Sequence, residues 1–74
     1  INPRMKDMEI IVKGMTCNHC KATIENNVIA LEGIERVEAN IFTEKVTIRG
    51  ENIDLDIVRE KVESLGYKFE GLTE

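Results

Sequence analysis

Apolar residues recur along this chain with two different periods, and the order in which the periods follow one another leaves few folds open. Met8, Ile10 and Val12 alternate with Glu9, Ile11 and Lys13. A period of two over this stretch reads as a half-buried strand. Gly14-Met15-Thr16 interrupts it as a loop. From Asn18 the period lengthens, and Cys20, Ile24, Val28 and Leu31 fall on one stripe of a helix. Thr16 is the expected N-cap, and Gly33 the expected left-handed residue at the helix C-terminus. Ile34, Val37, Ala39 and Ile41 belong to a second strand. Phe42-Thr43-Glu44 is a turn region without the Asn-Gly signal of the tightest hairpins. Val46 and Ile48 make a third strand that Gly50 ends. Asn52 or Asp54 caps a second helix striped by Leu55, Val58, Val62 and Leu65, and Gly66 stops it. Tyr67 to Glu70 is a short last strand.

The order is therefore β-α-β-β-α-β. The middle strands form a hairpin, and each helix crosses between strands that are not hairpin partners. Right-handed crossovers then give an α+β, ferredoxin-like βαββαβ sandwich, a four-stranded antiparallel sheet with two helices on one face. At 74 residues the chain holds one domain. We place it at 7–71, after a disordered extension or expression scar at 1–6 and before a tail at 72–74. A net charge of -4 argues against nucleic-acid binding. No apolar run approaches the ~20 residues that span a bilayer, and no export signal is visible at the N-terminus. Two cysteines and one histidine are too few for a disulfide scaffold or for a closed four-ligand zinc site. No Ser/His/Asp set or carboxylate pair stands out, so no enzyme activity is expected. The fold itself says nothing about function.

The chemistry lies in Gly14-Met15-Thr16-Cys17-Asn18-His19-Cys20. Cys17 and Cys20 stand three apart where a loop becomes a helix, which brings both sulfurs to one side. A helix N-terminus favours thiolates. Lys13, Lys21 and Lys68 are expected at the same end, adding to the positive field. Two converging thiolates suit a soft ion. Cu(I) accepts two sulfurs, and Hg(II) does so on the same softness argument. So low a coordination number leaves the ion open to a partner's thiolate, a means of transfer rather than storage. A local disulfide closing so short a loop would contribute little stability. A thioredoxin-like oxidoreductase expects a cis proline opposite the dithiol, and the sole proline is Pro3. Met15 is expected in the core, with thioether ligation as the competing reading. His19 is expected to face solvent, with a third-ligand or dimer-bridging role as the alternative. Thr16 reads as a cap rather than a metal-site group. The carboxylates Glu25, Glu32, Glu35, Glu60 and Glu63 read as solvated helix faces and ends.

The string Gly14-Met15-Thr16-Cys17 to Cys20, set after a first strand in a βαββαβ chain of this length, resembles the heavy-metal-associated domain family. That family includes small copper chaperones and the N-terminal domains of copper-transporting P-type ATPases. Gly66-Tyr67 after the second helix and the Asn18-His19 pair are similar to the bacterial chaperones. The resemblance implies Cu(I) at Cys17 and Cys20, with Met15 packed beneath the loop and Tyr67 shielding or hydrogen-bonding near the sulfurs. Thr16 and His19 would complete the surroundings. It further implies a cytoplasmic copper chaperone that delivers to a copper ATPase, with a copper-responsive regulator as a second partner class. Such a chain is a monomer without metal, and excess Cu(I) favours a dimer. An excised ATPase domain and a mercury-binding protein are the alternatives. The chain ending shortly after its last strand favours a free protein, and Tyr67 favours copper over mercury.

Overall fold

The computed structural model describes residues 6–73. Its elements are β1 (Lys6–Lys13), α1 (Asn18–Ile29), β2 (Ile34–Asn40), β3 (Lys45–Gly50), α2 (Leu55–Ser64) and β4 (Lys68–Leu72). The expected extension falls outside the described residues for 1–5, while Lys6 stands in β1 opposite Gly50. The strands run β2-β3-β1-β4 across one sheet, and every neighbouring pair is antiparallel. This is the ferredoxin-like sandwich that the periods imply.

Register decides which side chains meet the helices. Ile10 pairs with Val46 and Met8 with Ile48, while Ala39 pairs with Val46 and Val37 with Ile48. All six therefore share one sheet face. Ile24 and Val28 of α1 and Val58 and Val62 of α2 close over that face, and with Ile10, Val12, Met15, Ala39, Val46 and Ile48 they form the buried core. The opposite face carries ion pairs, with Arg49 bonded to Asp7 at 3.1 Å and Lys45 set 3.9 Å from Glu9.

The ends of the elements differ from expectation in instructive ways. Cys17, not Thr16, caps α1, and its sulfur accepts from the Cys20 N–H at 3.4 Å. Gly33 does not close α1, which ends at Ile29 with Ala30 still right-handed. Gly33 (φ +87) serves a long-range approach instead: a Cβ there would run into the Glu51 carbonyl, and one on Gly50 would run into the Gly33 carbonyl. The Gly33 carbonyl accepts from Glu51 N at 2.8 Å, locking that end of the sheet. β2 stops at Asn40, because its Oδ1 accepts from Phe42 N at 2.8 Å and from Thr43 N at 3.2 Å and turns the chain. Ile41 is therefore in the turn, and β4 starts at Lys68 rather than Tyr67.

α2 follows expectation closely. Asp54 caps it, accepting from Asp56 N at 2.9 Å. At its other end Gly66 N bonds the Glu63 carbonyl at 3.0 Å and Tyr67 N the Val62 carbonyl at 3.3 Å. With Gly66 at φ +96, this is the paired closure of a Schellman motif. It fixes where Tyr67 enters the loop that faces Cys20.

Candidate functional site

β1 delivers the chain to one end of the sheet, and Gly14 (φ +102) turns it there. A Cβ on Gly14 would sit 3.3 Å from Tyr67 Cδ1, so the turn and the tyrosine ring lie against each other. Met15 then plunges into the core at 1% exposure. It anchors the loop by apolar contact, as the core reading expects. Thr16 is exposed and leads into Cys17, the first capping residue of α1.

The two sulfurs are 3.1 Å apart. Cys17 is exposed and Cys20 half-buried, and both are free thiols. Cys20 faces the core edge because it opens the Ile24–Val28 stripe, while Cys17 lies outside that stripe. The Cys20 thiol is lowered from 9.0 to about 6. The leading cause is the hydrogen bond from the Tyr67 hydroxyl, followed by the Cys17 side chain and the Thr16 backbone. Each stabilises the charged sulfur. The reciprocal effect raises Tyr67 from 10.0 to about 12, through its bond to Cys20, its desolvation and the nearby cysteine charges.

The expected lysine field is not what lowers Cys20. Lys13 bonds Glu44 at 2.9 Å, Lys21 lies 3.8 Å from Glu25, and Lys68 lies 3.2 Å from Glu70. A cation already paired with a carboxylate projects little net field. Lys13 and Glu44 shift each other in the ordinary sense of an ion pair, the amine upward and the carboxyl downward. Glu25 is also more than a solvated helix residue, since its carboxylate accepts from Ala39 N at 2.8 Å on the edge strand β2.

The structure thus brings Cys17, Cys20 and Tyr67 together over Met15. Thr16 contributes through its backbone. His19 is exposed, and its carbonyl accepts from Thr23 Oγ1 at 2.9 Å. Among the described residues no three His, Cys, Asp or Glu side chains gather into a metal-holding group. The dithiol is the soft-donor pair, and its chemistry fits a soft ion rather than Mg or Ca. Gly14 is the residue the sequence reading undervalued. A glycine directly after the last alternating residue of a strand was the available signal.

The model of the heavy-metal-associated domain family matches residues 9–68. The copper chaperone CopZ of Enterococcus hirae is 34% identical over 64 residues, which cover 84% of this chain and 93% of CopZ. The probable copper-exporting P-type ATPase of Archaeoglobus fulgidus is 43% identical over 58 residues, covering 76% of this chain but only 7% of the ATPase. In three dimensions the yeast copper transporter domain Ccc2a, solved in apo and Cu(I)-loaded states, superposes with a TM-score of 0.84 at 28% identity. That match covers 90% of this chain and 94% of the yeast domain.

Proposed function

The chain belongs to the heavy-metal-associated domain family, and from that premise we propose that it carries Cu(I) on Cys17 and Cys20 and hands it to a copper-transporting P-type ATPase. The observation that carries this reading is the pair of free sulfurs 3.1 Å apart at an exposed loop. Cu(I) is cargo here, taken up and released without change of oxidation state.

Each residue then has a task set by its surroundings. Cys20, with its thiol at about 6, is largely thiolate at neutral pH and binds without first losing a proton to solvent. Tyr67 donates to that thiolate and holds it in place. Met15 keeps the loop seated on the core, so the sulfurs are presented in register. Cys17 is exposed and is the sulfur a partner reaches first. A partner thiolate attacks the ion, a three-sulfur intermediate forms, and Cys17 leaves as the weaker-held donor. The partner's second thiolate then displaces Cys20. Bonds to sulfur are exchanged one for one, and no electron moves. His19, exposed beside the loop, meets the partner rather than the ion. Excess Cu(I) would be bridged by a second copy's thiolates, giving a dimer. A cytoplasmic setting follows from a thiol pair that must stay reduced, and a copper-responsive regulator is a further acceptor of the same chemistry.

A second reading has its own support: the 43% identity to the Archaeoglobus ATPase favours a receiving domain of such a transporter. The dithiol chemistry is the same, with the direction of transfer reversed.

The test is competition for Cu(I) against a chelator by the native chain, Cys17→Ser and Cys20→Ser. Both variants are expected to lose high-affinity binding. A serine variant that competes as well as the native chain refutes the assignment. X-ray absorption at the copper edge should report Cu(I) with sulfur neighbours, and an oxygen- and nitrogen-rich environment would refute it equally.

A further inference from the structure

Glu44 has a left-handed backbone, at φ +60. Among the described residues one other non-glycine shares that region, Asn52 at φ +56. Asparagine tolerates it, whereas a glutamate there sets its Cβ against the following carbonyl. Hairpin turns that close on such a residue normally take glycine. Turn closure alone therefore does not account for the glutamate, but its contacts do. The Glu44 carbonyl accepts from Val12 N at 2.9 Å, a bond that any residue type makes. The carboxylate adds what glycine lacks, a bond to Lys13 Nζ at 2.9 Å. It is held below the usual carboxylate range, by the Lys13 ammonium first and, more weakly, by the Gly14 backbone. Val12, Lys13 and Gly14 are the consecutive residues that lead from β1 into the cysteine loop.

Both ladders lose regularity at this stretch. The pairing of β1 with β3 ends at Ile11 opposite Lys45, and its pairing with β4 shifts register between Ile11 and Val12. Gly14 then turns the chain against Tyr67, whose ring a Cβ at Gly14 would approach to 3.3 Å. Tyr67 in turn bonds Cys20, and Cys17 follows Gly14 by three residues. A tilt of the strand end is thereby passed to the tyrosine and to the spacing of the sulfurs. We propose that Glu44 is a positioning residue for the dithiol loop: its carboxylate clamps the step from Lys13 to Gly14, at the expense of a strained backbone, and so keeps Cys17 and Cys20 converged around the ion. It acts through the loop rather than on the ion. The inference rests on the carrier reading above.

Glu44→Gly removes the carboxylate and relaxes the backbone in one step, so fold stability and copper retention should part company. The metal-free variant should melt no lower than the native chain. It should nevertheless release Cu(I) to a competing chelator about tenfold faster, with faster amide exchange at residues 14–17. Glu44→Asn, a second route to a relaxed turn, should do the same. Glu44→Gln keeps the length and an acceptor oxygen and should restore most of the native release rate. Native release and native loop exchange in Glu44→Gly overturn the inference. So does a melting temperature that falls in step with faster release, because the glutamate then serves hairpin stability alone. Failure of the native chain to bind Cu(I) overturns the carrier reading, and amide exchange in the metal-free chains still decides whether the clamp exists.

Discussion

Met15 tests whether the loop is held by packing or by the ion. The side chain is 1% exposed within the core cluster. Truncating a buried methionine to alanine costs about 2–5 kcal/mol, because lost transfer energy and an unfilled cavity add. A chain of 74 residues has a total stability of about 4–11 kcal/mol at the usual value per residue. A central loss of about 3 kcal/mol therefore consumes a large share of it and lowers the melting temperature by about 12–24 °C. Met15→Leu keeps volume and apolarity and should cost under about 1.5 kcal/mol. Urea unfolding of the metal-free chain measures both variants, and chelator competition measures Cu(I) affinity. Met15→Leu should bind copper like the native chain if the side chain buried at 1% exposure acts through packing alone. Two results would refute the reasoning. One is a metal-free Met15→Ala as stable as the native chain. The other is a Met15→Leu that folds normally but loses tenfold or more in copper affinity.

Two further predictions concern the tyrosine and the edge strand. The Cys20 thiol at about 6, against 9.0 ordinarily, means that the folded metal-free chain binds fewer protons than the unfolded chain between those values. Stability should therefore rise with pH from about 6 to about 9, while Tyr67 at about 12 against 10.0 should make it fall from about 10 to about 12. Tyr67→Phe should flatten both slopes and move the thiolate absorbance of Cys20 to higher pH; an unmoved titration would show that the hydroxyl does not act on the sulfur. Glu25→Ala removes the acceptor of Ala39 N and should cost about 1–2 kcal/mol, with faster amide exchange at Ala39. Glu25→Gln, which keeps an acceptor oxygen, should restore most of it. An unchanged exchange rate in Glu25→Ala would refute the link.

The parts of this molecule that sequence reveals are those set by neighbours in the chain. Asp54 and Gly66 bracket α2 as capping chemistry requires, since each acts on backbone groups within a few residues. The strand and helix stripes likewise report burial directly, and Ile10, Val12, Ile24, Val28, Val58 and Val62 all lie in the core. What stayed hidden depends on distant partners. Gly33 is needed because the Glu51 backbone, just past the end of β3, comes close to it. Lys13 is neutralised by Glu44, and Glu25 is recruited by Ala39. No local pattern encodes either meeting. A hydroxyl such as that of Thr16 is a common cap, but here the Cys17 thiol sits one residue nearer the first turn and takes the role. The convergence of the Cys17 and Cys20 sulfurs was legible from their spacing, whereas Tyr67 followed only from family resemblance. The hydroxyl's effect on Cys20 needed coordinates, because 47 residues separate the two in sequence.

The closure of α2 makes the length of its last turn as constrained as the gap between the cysteines. Tyr67 is tied through its own amide to Val62, and Val62 is fixed in the core. One residue inserted or removed between them would swing the ring by about 100° around the helix axis and leave the sulfur without its donor. Outward-facing positions such as Glu60 and Glu63 can therefore drift in identity, but the count of residues from Val62 to Tyr67 cannot, and the leading contribution to the thiol's acidity is inherited from helix arithmetic outside the loop that carries the thiols.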